Sequence, residues 1–313
     1  MPLGNKLRSL VSLSIILFLA LGQISAKDSD KKKKSYKGTP EMWAEPSDIA
    51  TRNLYYGPGG KEMMPDLRRV TFIEEEKGGY STKYRVRDGR GRVWVAKIGK
   101  EAQTDTVANR LLWAVGYHTE ISYLAPRVNI QGKGTFENVR FEARPAAVKR
   151  VGEWEWDNNP FVGTRPFQGL KVMMVLINNW DIKDSNNRVL FARDPRTGKN
   201  ELRYIISDLG ATFGKTGSFL TRSRNKPEDY VDAEFIDELK GRYVDFHYSG
   251  KRKSVFRNIT IDEARWMGSW LSQLSARQIK DAFRAANYSP EDVQMLAEAF
   301  QGRINELVTL PRR

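Results

Sequence analysis

The stretch Lys171–Asn187, KVMMVLINNWDIKDSNN, read together with Asp208-Leu209-Gly210 further on, decides how this chain is organised. An apolar run from Val172 to Ile177 reads as a helix and stops at a polar turn. In that turn a carboxylate, Asp181, is followed two residues later by an ammonium, Lys183, and five residues later by an amide, Asn186. Arg188–Ala192 and Leu202–Ile206 then flank a turn containing Asp194, Pro195, Gly198 and Asn200, which predicts a β-hairpin. Asp208 follows immediately. Taken singly these residues are ordinary turn formers, and Asn178, Asn179, Asp184, Ser185 and Asn187 around them would suit a simple Asx-rich turn. The order of helix, polar loop, hairpin and Asp-x-Gly carries the reading.

Upstream, period-two alternation and turn residues predict three antiparallel strands: Arg69–Ile73, Ser81–Arg87 and Val93–Lys97, separated by Lys77-Gly78-Gly79 and Asp88-Gly89-Arg90-Gly91. Glu101–Val115 has apolar residues at helical spacing, with Gly116 as its stop. Glu101 and Asp105 lie four apart on one face of that helix, so either can turn toward Lys97. Tyr123–Ile130 and Val139–Val151 read as further strands, the second crossing to the next part of the chain near Val151–Trp156. Trp154 and Trp156 read as packing residues.

Downstream, Ala211–Lys226 is polar and contains glycine, as a loop would be. Helices are predicted at Asp232–Leu239, Ile261–Leu274, Ala276–Ala286 and Pro290–Leu307, with a basic turn at Ser249–Lys253. The last helix opens on Ser289-Pro290-Glu291-Asp292, a cap with proline in the first position.

With Lys97, Glu101 or Asp105, Asp181, Lys183, Asn186 and Asp208 in this order, the chain resembles an atypical member of the protein-kinase-like superfamily, of the phosphoinositide-kinase and HipA-like branch or the secreted Fam20-type kinases. The resemblance implies an α/β (α+β) fold of two lobes, a small antiparallel β lobe at 60–152 and a mainly helical lobe at 153–313. It implies ATP and Mg²⁺, or Mn²⁺, as cofactors. Lys97 would then sit on the nucleotide phosphates, paired with Asp105 or Glu101. Gly78, Gly79 and Ser81 would belong to the loop over those phosphates, and Asn186 and Asp208 would hold metal. Asp181 would accept the hydrogen bond of the attacking hydroxyl, and Lys183 would steady the phosphoryl group. The chain departs from ordinary protein kinases: it has no G-x-G-x-x-G, Asn179 replaces the His of His-Arg-Asp, Leu209 replaces the Phe of Asp-Phe-Gly, and no Ala-Pro-Glu follows.

The 313 residues carry 52 Lys and Arg against 38 Asp and Glu, a formal charge of +14, which favours an anionic partner. There is no Cys, hence no disulfide and no thiolate metal site. With only His118 and His247, neither beside a G-x-S-x-G, the sequence gives a Ser-His-Asp hydrolase little support. Gly210–Thr216 resembles a phosphate-binding loop, but three residues separate its glycines where that motif has four. Met1–Ala26 combines Lys6 and Arg8 with an apolar run from Leu10 to Leu21 and a Ser25-Ala26 exit, which predicts a cleavable signal peptide and export to the periplasm or medium. Residues 27–59 read as a basic linker and extended arm, with Lys31–Lys34 suited to an anionic membrane surface. Nucleic acid binding has only net charge behind it. The function implied is an exported kinase acting on a hydroxyl of a protein or small molecule; the competing reading is a pseudokinase kept as a nucleotide-binding or inactive scaffold at the cell envelope.

Overall fold

Period-two alternation builds the first lobe. The computed structural model describes residues 35–77, 81–194 and 197–312, so the expected signal peptide and the Lys31–Lys34 run lie outside the described residues. After β1 (Thr39–Glu41) come β2 (Val70–Glu75), β3 (Thr82–Arg87), β4 (Val93–Ile98), α1 (Glu101–Ala114), β5 (Ser122–Gln131) and β6 (Gly134–Ala143). The five strands β2-β3-β4-β6-β5 close into a barrel, with β2 and β5 meeting in parallel. Its interior is filled by alternate residues such as Val86, Trp94, Ala96, Val139 and Phe141. Because successive side chains leave opposite faces of a strand, Val95 and Lys97 of β4 must point outward. Their register partners Glu142 and Arg140 on β6 do the same. This places a line of charge against α1.

The second lobe is built on α2 (Arg165–Leu176), capped by Thr164 through the amide of Phe167. The connector β7 (Lys149–Gly152) pairs with β8 (Asn187–Arg193) and not with the barrel, and β8 pairs with β9 (Asn200–Ile206). β1 joins the far edge of β9 in parallel, giving the order β1-β9-β8-β7. Around α2 lie α3 (Pro227–Val231), the hairpin β10 (Ile236–Lys240) and β11 (Tyr243–Phe246), then α4 (Ile261–Leu271), α5 (Ala276–Arg284) and α6 (Pro290–Thr309). A core running from Met42, Ile49 and Leu54 of the arm through α1 and α2 to Leu307 joins these elements.

The helix expected at Asp232–Leu239 is not formed. There, Gly241 at a φ of +59° allows a tight turn after Lys240. Val244 and Phe246 are buried on either side of the less buried Asp245, the alternation of a half-buried strand. Phe235 closes against Phe246 with ring centroids 5.3 Å apart. Tertiary packing of these rings overrides the local helical preference.

Candidate active site

Lys97 leaves β4 on the outer face of the barrel, and three carboxylates meet it. Its Nζ lies 3.1 Å from Asp105, 3.2 Å from Glu101 and 3.0 Å from Asp208. Burial pushes the ammonium pKa down, but Asp105 and Asp208 more than reverse this, so its pKa is raised and it remains a cation. Burial likewise pushes the Asp208 carboxyl up, and Lys97 outweighs it, leaving that pKa below the usual range. Asp105 does further work from the same position: it pairs with Arg140 at 3.2 Å and accepts the amide of Leu209 at 3.2 Å. Helix α1 is thereby tied to the Asp-Leu-Gly turn.

Glu101 accepts the Ser81 hydroxyl at 2.7 Å and pairs with Arg224 through its other oxygen. A Cβ on Gly210 would lie 2.5 Å from the Glu101 Cβ, so the third residue of Asp-Leu-Gly has no room for a side chain. Gly78 and Gly79 lie outside the described residues.

The Asp181 loop begins where α2 ends. Asn178 turns the chain with a φ of +52°, a conformation that asparagine tolerates better than most residues. The buried Arg303 of α6 clamps this turn, donating to the Leu176 carbonyl at 2.8 Å and to Asn178 Oδ1 at 3.0 Å. Asp181 then faces Lys183 at 2.8 Å through Oδ2 and Lys251 at 3.3 Å through Oδ1. The Lys251 approach is an ion pair without hydrogen-bond geometry, and among the described residues Oδ1 is a buried acceptor with no hydrogen-bond partner. The Asn186 amide nitrogen donates to the Asp181 carbonyl at 2.6 Å, and among the described residues nothing donates to its amide oxygen. The backbone of Asn186 also receives the Ser207 amide at 2.8 Å, joining this loop to the residue before Asp208.

Lys97, Glu101, Asp181, Lys183, Asn186, Asp208 and Ser81 line one cleft of about 630 Å³ between the lobes, with Asp105 buried behind it. The oxygen donors of Asn186 and Asp208 fit a hard cation such as Mg²⁺ or Mn²⁺, which takes carboxylate and carbonyl oxygen in preference to nitrogen or sulfur. The inner end of the cleft is polar. Buried Glu120 and Glu142 pair there with Arg140 and Arg150, and Arg150 donates to the Ser207 hydroxyl at 3.2 Å.

Sequence reading did not find Arg140, Arg224, Lys251 or Arg303, whose partners lie far away along the chain. His118 and His247 stand apart from the cleft, paired at 2.7 Å with Glu41 and Asp237 respectively.

No protein-family model matches the chain, and no curated protein matches it by sequence. Among solved structures it is similar to the Helicobacter pylori proinflammatory kinase CtkA, with 10% identity, a TM-score of 0.46 and coverage of 79% of this chain and 97% of that one. The Rio2 kinase of Chaetomium thermophilum, in a complex with ADP/Mg²⁺ and phosphoaspartate, shares 10% identity at a TM-score of 0.34, covering 77% of this chain and 72% of that one. The Golgi casein kinase also shares 10% identity, at a TM-score of 0.30, covering 77% and 73%. The architecture of the chain itself is mixed α/β and two-lobed. A five-stranded barrel bears the lysine on its third strand and packs beside α1, and a helical lobe supplies the Asp181 loop and Asp208.

Proposed function

We propose that this chain is an exported phosphotransferase that moves the γ-phosphoryl group of ATP, with Mg²⁺ or Mn²⁺, to a hydroxyl of a protein or small molecule. The observation that carries this reading is the convergence of Lys97, Asp208, Asn186 and Asp181 on one cleft. Lys97 offers its charge to the donor phosphates, and Asp105 and Glu101 hold it in place. Asp208 and Asn186 would hold the metal ion, which when bound neutralises charge on the β- and γ-phosphates.

Asp181, whose carboxylate lines the cleft, would accept the acceptor's O–H and orient its oxygen for in-line attack. The bond from the γ-phosphorus to its bridging oxygen breaks as the bond to the acceptor oxygen forms. The hydroxyl proton passes to Asp181, and the nucleoside diphosphate leaves. Lys183, already on Asp181, stabilises the transferring group.

The pseudokinase reading draws on one feature: Lys97 is already matched by three carboxylates and Glu101 by Arg224. Thermal-shift titration with ATP and GTP, with and without Mg²⁺, tests nucleotide binding directly. Binding to the folded state raises the midpoint in proportion to ligand excess over Kd. We expect a Mg²⁺-dependent rise that Asp208→Ala abolishes; no rise with either nucleotide at millimolar concentration contradicts the assignment.

A further inference from the structure

Away from the cleft, and independently of the phosphotransferase reading, we infer that Glu41, His118 and Glu201 form a Zn²⁺ site that ties the arm to both lobes. The three side chains come from β1, from the turn after α1 and from β9, and one ligand atom of each lies within 4.8 Å of the other two. The sequence places them far apart, and the fold brings them together by strand register. Parallel pairing sets Thr39 opposite Glu201 and Glu41 opposite Arg203. Residues two apart on a strand share a face, so Glu41 and Glu201 leave the sheet on the same side. His118 is brought to them by the arm: its amide donates to the Met42 carbonyl at 3.2 Å, and Trp43 bridges Tyr117. His118 Nε2 meets Glu41 Oε2 at 2.7 Å.

One imidazole nitrogen with carboxylate oxygens is a donor set for Zn²⁺, whereas Ca²⁺ and Mg²⁺ take oxygen in preference. A tetrahedral ion about 2.1 Å from its ligands holds them about 3.4 Å apart. Binding therefore opens the His118–Glu41 contact, draws Glu201 inward, and releases to solvent the proton that the imidazole nitrogen shares with Glu41. The charge balance favours a cation even though the whole chain is basic. Glu201 and the neighbouring Asp194 are only 8% and 7% exposed, and buried charges are paired or bound to metal. The hydrogen bond with His118 holds the Glu41 carboxyl below its ordinary value, while Asp194 lies close enough to oppose that ionisation. Arg203 donates to Glu201 Oε2 at 2.8 Å. Such an outer hydrogen bond orients a ligating carboxylate, and the carboxylate keeps lone pairs for an ion. Solvent has a way in, because His118 and Arg203 line a second cavity of about 660 Å³.

The test titrates the full chain, stripped with a chelator and free of nucleotide, with ZnCl₂ by calorimetry, and follows its melting in parallel. Two substitutions remove competing sites first: Asp208→Ala for the catalytic cleft, and His247→Gln for the other such group among the described residues, Glu234, Asp237 and His247. The doubly substituted chain is expected to bind one Zn²⁺ and to melt higher with it, as binding to the folded state requires. Adding His118→Gln should weaken that binding about tenfold or more, as should Glu41→Gln. Glu41→Gln keeps the side chain's size and its reach to His118, so it decides the matter if His118→Gln fails to fold. A plain His118–Glu41 ion pair would lower melting in these variants without any Zn²⁺-dependent rise in the parent. No Zn²⁺ binding to the doubly substituted chain, or binding that Glu41→Gln leaves unchanged, overturns the inference, and neither result bears on nucleotide binding in the cleft.

Discussion

Lys97 and Asp208 come from different lobes, and their contact at 3.0 Å gives the molecule a pH dependence whose sign follows from the shift. The folded Asp208 carboxyl sits below its ordinary value. Its contribution to stability is therefore complete above about pH 4 and fades as pH falls through the depressed folded value. Wild type should melt above Asp208→Asn at neutral pH, and the gap should close on acidification; a gap that is constant or widens toward low pH contradicts the assignment. Gly210 offers a second test. Its missing Cβ makes room for Glu101, so Gly210→Ala should push α1 from the Asp-Leu-Gly turn and weaken Mg²⁺–nucleotide binding. Equal affinity in the variant would mean that this close approach is dispensable. Lys97, Asp181, Asn186 and Asp208 were legible as candidates because each stands in a local pattern of fixed spacing. Arg140 was not, since its meeting with Asp105 depends on the β4–β6 register and no local signal carries that.

Elements with both a pattern and a stop signal were legible. Pro290–Leu307 was expected and α6 spans Pro290–Thr309, with Ser289 accepting the Asp292 amide as the sequence suggested. The failure at β10 came from a segment whose structure is set by the rings packed against it. α4 owes its start to a capping box, in which Thr260 accepts the Glu263 amide and Glu263 accepts that of Thr260. Thr260→Ala should therefore cost about 1 kcal/mol in denaturant unfolding. The crossing of α2 over α4 is tighter still, because a Cβ on Gly169 would come within 2.6 Å of the Trp266 ring. Gly169→Ala should cost about 1–3 kcal/mol by overpacking. A neutral result would show that the ring moves freely.

At the scale of the whole molecule, the arm before the barrel is part of the core and not an appendage. Met42, Ile49 and Leu54 are fully buried against α1 and the second lobe, and β1 extends its sheet. Leu54→Ala should lower unfolding free energy by about 2–5 kcal/mol, as cavity-forming changes do. Composition indicated an arm packed on the domain, but only the three-dimensional contacts identify which residues enter. The same contacts hold the lobes about the cleft, where the proposed roles divide: Asp208 serves nucleotide and metal, Asp181 serves the acceptor. The most direct test measures Mg²⁺–ATP affinity and phosphoryl-transfer turnover side by side in wild type, Asp208→Ala and Asp181→Asn. Loss of affinity in Asp208→Ala is predicted, with retained affinity but kcat reduced by orders of magnitude in Asp181→Asn. Wild-type turnover in Asp181→Asn, or undiminished Mg²⁺–ATP binding in Asp208→Ala, would contradict the account.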